Sequence, residues 1–316
     1  MQDTAPKIIN VPEETQGTRL DKFLPEIFPT FSRGVWQKVI SNGGVIINGK
    51  CASSNKIKLS EGDIIEVQMP SDDNEIPLPQ PEDIQFDILF EDDNVLVINK
   101  KAGIIVHPGD GNPAGTIVNA LLFKYNKSLN FGEIFEDKYR PGIVHRLDKD
   151  TSGALIVAKN EESLVSLKSA FKNREVKKTY YAIVQGVPKK HFDTIRFSID
   201  RHPVNRKKMA VSPNGKEAVT HFTFVQGGYI DNQPVSILEV KIETGRTHQI
   251  RVHLSEIGIP IIGDKIYGGV RKKPKAPRQM LHAGNIIFPH PVTGKKINIT
   301  APIPDDMQNM IDKIHS

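Results

Sequence analysis

Apolar residues near the start of the chain recur with the spacing of short amphipathic helices. Two such stretches follow Thr18 and Ser32, hydroxyl residues that can begin a helix. The next segment, GGVIINGKC, predicts a tight turn at Asn48-Gly49 between two short strands, and GDIIEVQM predicts another strand. Two helices and a small sheet in about 55 residues make a marginal core, which is typical of a binding module. The apolar helix positions are Leu20, Phe23, Leu24 and Ile27, then Val35, Trp36, Val39 and Ile40.

The longer remainder of the chain holds more strand patterns than helix patterns. Helices are predicted after Thr116, after Asn160 and over the segment HQIRVHLSEIG. Because the strands do not alternate strictly with helices, we expect an α+β fold with a mixed sheet. The strand segments are DNVLVINKKAGIIVH, ALIVAK, KTYYAIVQG, AVTHFTFVQ, SILEVKIET, LHAGNIIF and KKINITA.

An acidic, proline-containing stretch separates these two parts. From Pro70 to Asp93 there are nine acidic residues and no Lys or Arg, together with four prolines. Such a segment cannot bury a core and tends to stay extended. We therefore predict a flexible N-terminus over residues 1–16, a small module over 17–69, a linker over 70–85 and a large domain over 86–316.

Composition narrows the class of protein. The hydrophobic fraction is 38% and the charged fraction 25%, as in soluble globular proteins. No apolar run approaches the roughly 20 residues that span a bilayer, and the first residues lack a secretory pattern, so we expect a cytoplasmic protein without membrane contact. The lone Cys51 excludes an internal disulfide and a cysteine-rich metal site.

The distribution of charge says more than the net charge of +5. From Asn94 to the C-terminus, 34 basic and 20 acidic residues give +14, whereas residues 17–69 carry only +2. One interpretation is a solvated surface with uneven charge. The other is a basic domain that meets a polyanion, because phosphate neutralisation dominates affinity for nucleic acids.

Three weak motifs do not support a metal or a nicotinamide cofactor. The segment Asp148–Gly153 begins like a calcium loop, but its twelfth position is Lys159, where calcium needs a Glu. The pattern G-x-G-x-x-A at Gly109 lacks the second strand and acidic residue of a dinucleotide site, so a glycine-rich turn into a helix is preferred. His248 and His253 fall on different faces of a helix, which disfavours a shared metal.

The segment PGIVHRLDKDTSG, residues 141–153, carries the strongest chemical signal. Asp148 lies between Arg146 and Lys149, two cations that favour a charged, nucleophilic carboxylate. Its position in the basic domain places it where an anionic partner is expected. The alternative is a turn in which Asp148 caps nearby amides and pairs with a basic neighbour.

Several ordered motifs resemble one enzyme family. The string HRLDKDTSG followed by ALIVAK, then KTYYA, ETGRTHQIRVHL, GDKIYG, LHA and His290-Pro291, is similar to the signature of the RluA-type pseudouridine synthases. The similarity runs from about Phe86 to the C-terminus. The small module, with RLDKFL, Ser32-Arg33 and GVIINGK, resembles the RNA-binding domain first seen in a small-subunit ribosomal protein. Together with VHPGDGNPAGT, this combination is most similar to the RluD subgroup, although the connection after Gly269 is shorter than usual there.

The resemblance implies a largely antiparallel catalytic sheet and assigns roles to particular residues. Asp148 is the expected nucleophile at the glycosidic linkage, Tyr180 lies against the flipped base, and Arg251 forms an ion pair with Asp148. Arg146 fills the space that the base vacates or holds the distorted backbone. Further substrate contacts are expected from His145, Ile250, Arg246 and His248, and RNA contacts in the small module from Arg19, Lys22, Ser32, Arg33, Lys38 and Lys50.

The implied reaction isomerises uridine in a helix-loop of large-subunit ribosomal RNA. Uracil is detached, turned and rejoined through carbon, so nothing is oxidised, and we expect neither a metal nor an organic cofactor. The expected partner is ribosomal RNA, free or within an assembling subunit, and the expected state is a monomer. Two rival hypotheses are a non-catalytic RNA-binding assembly factor and a hydrolase that removes the base with the same Asp148. The set of Asp148, Tyr180 and Arg251 argues against the first, and the mass of the RNA product discriminates the second.

Overall fold

The computed structural model describes residues 6–31, 33–70, 78–109, 112–205, 208–268 and 274–315. The chain divides into two compact units, Met1–Leu78 and Pro79–Ser316. This boundary falls inside the predicted linker of residues 70–85. None of the helices among the described residues combines the length and the apolarity that crossing a bilayer requires.

The first unit packs two helices against a four-stranded antiparallel sheet, in the strand order β1 (Lys7–Asn10), β4 (Ile64–Val67), β2 (Val45–Ile47) and β3 (Lys50–Cys51). Its core buries Phe23, Leu24, Trp36 and Ile40 of the two predicted helices. The predicted turn is confirmed, because Asn48 and Gly49 both have positive φ. The elements are β1 (Lys7–Asn10), a 3-10 turn (Glu13–Thr15), α1 (Leu20–Ile27), α2 (Arg33–Ser41), β2 (Val45–Ile47), β3 (Lys50–Cys51) and β4 (Ile64–Val67).

Two details of this unit differ from the sequence predictions. Residues 7–10 of the predicted flexible N-terminus form the edge strand β1, which pairs with β4, and the adjacent Val11 is buried. The backbone of an exposed sheet edge offers unpaired groups that such a segment can bind. The N-cap position of the first helix is Arg19, one residue after the predicted Thr18. The residue predicted to begin the second helix, Ser32, lies outside the described residues.

The second unit is built on a nine-stranded sheet, which confirms the predicted mixed, largely antiparallel architecture. Within the described residues, β7 (Ser152–Ala158) and β14 (Leu281–Pro289) form its one parallel ladder, and the other ladders are antiparallel. Eight strands follow the order β5 (Asp87–Glu91), β6 (Val95–Lys100), β7 (Ser152–Ala158), β14 (Leu281–Pro289), β8 (Lys177–Gln185), β13 (Gln233–Ile242), β12 (Val219–Ile230) and β9 (Phe192–Arg196), and β15 (Lys296–Thr300) pairs with β14. A separate two-stranded ribbon joins β10 (Ile199–Arg201) to β11 (Met209–Val211).

Three helices of this unit lie where the sequence predicts them, and a fourth, near the C-terminus, was not predicted. Thr116 and Asn119 form a capping box at the start of α3 (Ile117–Leu129), and the Asn160 side chain accepts from the Ser163 amide at the start of α4 (Glu161–Lys172). The remaining helices are α5 (Gln249–Glu256) and α6 (Asp305–Ile311). The last part of the predicted linker also belongs to this unit, since both Glu82 carboxylate oxygens accept from the Gly115 amide, at 3.1 and 3.2 Å.

One glycine determines how the central strands approach each other. Gly153 has a φ of +114°, and a Cβ at this position would overlap the backbone of Ala283. The absence of a side chain lets β7 pair in parallel with β14 at His282 and Ala283. The loop that leads into β7 carries Asp148, so the strand pairing sets the position of that loop.

Candidate active site

The predicted catalytic residues converge on one cleft in the second unit. The cleft has a volume of about 550 Å³ and lies where the loop before β7, the strand β8, the segment after β13 and the helix α5 meet. Among its lining residues are the predicted residues His145, Arg146, Asp148, Tyr180, Arg246, His248, Ile250 and Arg251. Residues that are up to 106 positions apart in the sequence therefore share one site.

Two buried basic side chains donate hydrogen bonds to the backbone of the Asp148 loop. The Lys100 ammonium is fully buried and donates to the carbonyls of Lys101, Ile104 and Lys149, at 2.8–2.9 Å. Burial lowers the pKa of Lys100 to about 7. Arg278, also buried, donates to the Asp150 carbonyl at 3.0 Å. The loop is thus fixed by its carbonyl groups, which leaves the Asp148 side chain directed at the cleft.

Arg251 connects Asp148 to a second carboxylate. Its Nη1 donates to Asp148 Oδ2 at 2.9 Å, and its Nε and Nη2 donate to Asp264 at 2.7 and 3.0 Å. The side chains of Arg251 and Asp264 are 5% and 0% exposed, whereas Asp148 is 19% exposed. The predicted ion pair between Asp148 and Arg251 is therefore present, and a fully buried carboxylate that carried no predicted role orients the guanidinium.

Electrostatics keep both members of the buried pair charged. Burial disfavours the Asp264 carboxylate, but hydrogen bonds from Arg251 and from the amides of Tyr267 and Ile266 lower its pKa overall. Burial likewise disfavours the Arg251 cation, and the two carboxylates outweigh this effect and raise its pKa. Arg251 is therefore a fixed positive charge beside Asp148.

Tyr180 lies on β8 with its side chain buried in the same cleft. Burial, followed by the charge of Asp148, raises the pKa of the Tyr180 phenol above its usual value. The ring is therefore neutral near pH 7 and cannot act as a phenolate base there. An aromatic ring in this place can contact the face of a base.

His248 is the second polar group near Asp148. Its Nε2 is 4.0 Å from Asp148 Oδ2, and its Nδ1 is 2.8 Å from the Tyr267 hydroxyl, which accepts from the Met209 amide. Burial lowers the pKa of His248, so the ring is neutral at pH 7. A neutral ring that carries its proton on Nε2 accepts from the Tyr267 hydroxyl at Nδ1 and faces the Asp148 carboxylate with an N–H group.

The other predicted substrate residues differ in what they can offer. His145 Nε2 accepts from the Ile156 amide at 2.9 Å, and the ring stacks on Phe171. Burial lowers the pKa of His145 to about 3, so the ring is neutral. Its Nε2 connects the loop to β7, and only Nδ1 is left to contact a substrate. Ile250 is a buried apolar part of the wall. Arg146 and Arg246 are exposed at the cleft, and Arg246 also donates to the Glu217 carbonyl.

In the first unit, a buried carboxylate orients two of the predicted RNA-binding arginines. Asp21, which is 0% exposed, accepts from Arg19 at 2.9 and 3.0 Å and from Arg33 at 2.6 and 3.1 Å. Gln37 donates to the same carboxylate at 2.8 Å. Burial opposes the charge of Asp21, but these donors lower its pKa overall. The predicted Lys22, Lys38 and Lys50 are exposed, and Ser32 lies outside the described residues.

Sequence reasoning missed the residues that support the functional side chains. Asp264 occurs in the recognised segment GDKIYG, Lys100 ends the apolar run VLVINK, and Asp21 occurs within RLDKFL. Lys100 could have been recognised as a supporting residue, because a charged residue next to a buried apolar run needs partners. In the parts of the chain that are described, no group of three or more His, Cys, Asp or Glu side chains is placed to hold a metal ion.

Comparisons with known proteins identify the family. Residues 94–256 match the family described as RNA pseudouridylate synthase, and residues 18–65 match the S4 domain. The chain belongs to the RNA pseudouridylate synthase family. It is an RNA pseudouridine synthase, an isomerase, with an S4 RNA-binding domain.

Relatives match this synthase over almost its whole length. The ribosomal large subunit pseudouridine synthase D of Xanthomonas campestris is 40% identical, over 96% of this chain and 91% of the relative. An uncharacterised RNA pseudouridine synthase of Synechocystis is 42% identical, over 95% of this chain and 90% of the relative. The solved structure of human RNA pseudouridylate synthase domain containing 1 has 26% identity and a TM-score of 0.55, and the match covers 72% of this chain and 94% of that one.

Proposed function

We propose that this synthase converts specific uridines in a helix-loop of large-subunit ribosomal RNA into pseudouridines, with Asp148 as nucleophile and with the target base flipped out of the helix. The target class rests on the names of relatives such as the Xanthomonas synthase. The observation that carries the chemistry is the partly exposed Asp148 carboxylate, held by the buried Arg251–Asp264 pair in a cleft. We further propose that the enzyme acts as a cytoplasmic monomer, on RNA that is free or within an assembling subunit.

The depth of the site supports base flipping. Asp148 is 19% exposed and lies inside a concave cleft, where a base stacked within an RNA helix cannot reach it. Extruding a nucleotide costs a few kcal/mol, and stacking of its base on an aromatic side chain can offset about 1–3 kcal/mol of this cost. Tyr180 supplies the ring, and Ile250 supplies an apolar wall.

The proposed reaction exchanges one bond to the sugar for another. A carboxylate oxygen of Asp148 bonds to C1′ as the N1–C1′ bond breaks, and the electron pair leaves with uracil. The uracil turns, its C5 bonds to C1′ and the carboxylate leaves. C5 then loses its proton and N1 gains one, so the product has the mass of the substrate. Arg251 stabilises the carboxylate as the leaving group of the second step.

The contacts of Asp148 distinguish its two oxygens. Arg251 at 2.9 Å and His248 at 4.0 Å both face Oδ2, and Oδ1 takes neither contact. We therefore assign the attack to Oδ1, with Oδ2 kept in place by the guanidinium. The neutral Tyr180 supports the base and is not assigned the proton transfer from C5.

The experiment compares the wild-type enzyme with Asp148→Asn on large-subunit ribosomal RNA that lacks these modifications. The amide is nearly isosteric but cannot attack carbon, so we expect an unchanged melting temperature, similar RNA affinity and no turnover. Pseudouridines are mapped along the RNA, and the product mass is measured to exclude base removal. Appreciable pseudouridine formation by purified Asp148→Asn would refute the assigned nucleophile, and a loss of mass with the wild type would refute isomerisation.

A further inference from the structure

Lys178 is a cation in the active-site cleft that the proposed chemistry does not use. It lies two residues before Tyr180 on β8 and lines the same cleft. Because side chains alternate along a strand, Lys178 and Tyr180 lie on one face of β8, about 7 Å apart along it. The neighbouring Lys177 is exposed, is not part of the cleft, and donates to the Arg174 carbonyl.

Neutral groups lie beside the ammonium of Lys178. Its Nζ lies 5.5 Å from the centre of the Phe171 ring, which stacks on the neutral His145. A Cβ built on Gly245 would be 4.0 Å from Nζ, so this glycine, which has no side chain, also lies near the ammonium. Among the residues that the structure describes, no carboxylate lies within 4.0 Å of this nitrogen, and burial lowers the pKa of Lys178 to about 8.

A partly buried cation without an anion is costly, and a bound anion removes that cost. The cleft carries additional cations, namely Arg146, Lys172, Arg174 and Arg246. Since the family acts on RNA, a phosphodiester is the anion that arrives with the substrate. Lysine binds phosphate as a point charge and needs no fixed fork of donors.

We propose that Lys178 forms a phosphate subsite, which binds the phosphodiester next to the flipped uridine while Tyr180 contacts its base. This rests on the proposed function, because a flipped nucleotide is what brings a phosphate into the cleft. The bare backbone at Gly245 leaves room for the phosphate oxygens. Lys178 then fixes the register of the RNA strand relative to Asp148.

The variants Lys178→Met, Lys178→Arg and Lys177→Met test this subsite. Lys177→Met is the matched control, because it removes the same charge from the adjacent residue outside the cleft. Dissociation constants are measured across a salt series with a ribosomal helix-loop transcript. We expect Lys178→Met to weaken binding on the order of tenfold and to reduce the slope of log affinity against log salt by about one, as for one lost phosphate contact. Lys178→Arg should keep most of the wild-type affinity and most of the wild-type salt slope. Lys177→Met should leave the slope near that of the wild type.

A chemical substitution in the RNA gives a test that does not depend on the folding of any variant. Transcripts with one uncharged methylphosphonate linkage at each position around the target are bound to the wild-type enzyme. We expect one linkage to carry most of the loss of affinity, and we expect Lys178→Met to be insensitive at that linkage. Equal effects of all linkages, or equal slopes for Lys178→Met and Lys177→Met, would overturn the subsite.

The same samples separate failure of the subsite from failure of the proposed function. Pseudouridine formation by the wild-type enzyme is measured on the unmodified transcript. If pseudouridine forms and no linkage depends on Lys178, the subsite is wrong and the proposed function stands. If the wild type forms none on any large-subunit RNA, the proposed function is wrong, and the linkage experiment still decides whether Lys178 binds phosphate.

Discussion

Replacing Arg251 by Met should separate the stability of this enzyme from its chemistry. Met keeps much of the side-chain volume but removes the donors to Asp264 and Asp148. Asp264 is 0% exposed and would retain only the amides of Ile266 and Tyr267 as partners. Removing one member of a buried ion pair costs about 3–5 kcal/mol. In a unit of this size each kcal/mol shifts the melting temperature by about 2–4 °C, so we expect a fall of roughly 6–20 °C.

A second substitution makes this prediction specific. Adding Asp264→Asn to Arg251→Met removes the stranded charge, so most of the lost stability should return. Activity should not return, since Asp148 still lacks its guanidinium. Thermal unfolding measures the first effect, and single-turnover release of tritium from C5-labelled uridine in RNA measures the second. Recovery of activity together with stability would show that Arg251 acts only through the fold.

The pH dependence of stability provides a further check on the same variants. In the wild type the pKa of Asp264 is lowered, so its stabilisation is present above the unfolded-state value of about 3.9 and is lost as the pH falls through the folded value. Without Arg251, burial instead raises the pKa of this carboxyl group. The stability deficit of Arg251→Met should therefore shrink as the pH falls from 7 to 5. A deficit that is constant over this range, or that persists in the double variant, would contradict the reasoning.

Three further outcomes are expected. Deleting residues 1–78 should leave catalysis on a short RNA intact, because every proposed catalytic residue lies beyond the cut. Binding to the full helix-loop should become weaker and less dependent on salt. An unchanged salt slope with a lower melting temperature would favour a purely structural role. Asp21→Asn should lower stability by about 1.5–3 kcal/mol, through the lost charged hydrogen bonds, and reduce RNA affinity as two arginines lose their fixed geometry; binding and chemical denaturation measure both, and unaltered affinity would exclude this positioning. Arg278→Lys should lower kcat by a larger factor than it changes KM, since one ammonium cannot replace both the bidentate contact with Asp306 and the bond to the Asp150 carbonyl. Changes of equal size in the two constants would contradict a role in holding the Asp148 loop.

Local sequence signals predicted local structure well. The caps at Thr116 and Asn160 and the turn at Asn48-Gly49 depend on residues within four positions of each other, and the structure has all three. The strand β1 was not predicted, because a four-residue edge segment has too few positions to show a period, and its pairing with β4 depends on residues more than fifty positions away. The role assigned to His145 was incomplete for a similar reason, since its partner is a backbone amide on β7.

The sequence by itself determined the class of fold, the family and eight of the residues that line the cleft, because apolar periods and ordered motifs are written along the chain. Only the tertiary structure decided how those residues work together. Arg251 is shared between Asp148, 103 positions away, and Asp264, 13 positions away, and Lys178 faces the cleft while Lys177 does not. Periodicity records whether a side chain is buried, but not which distant partner neutralises it. The charges that position Asp148 therefore become visible only once the strands have paired.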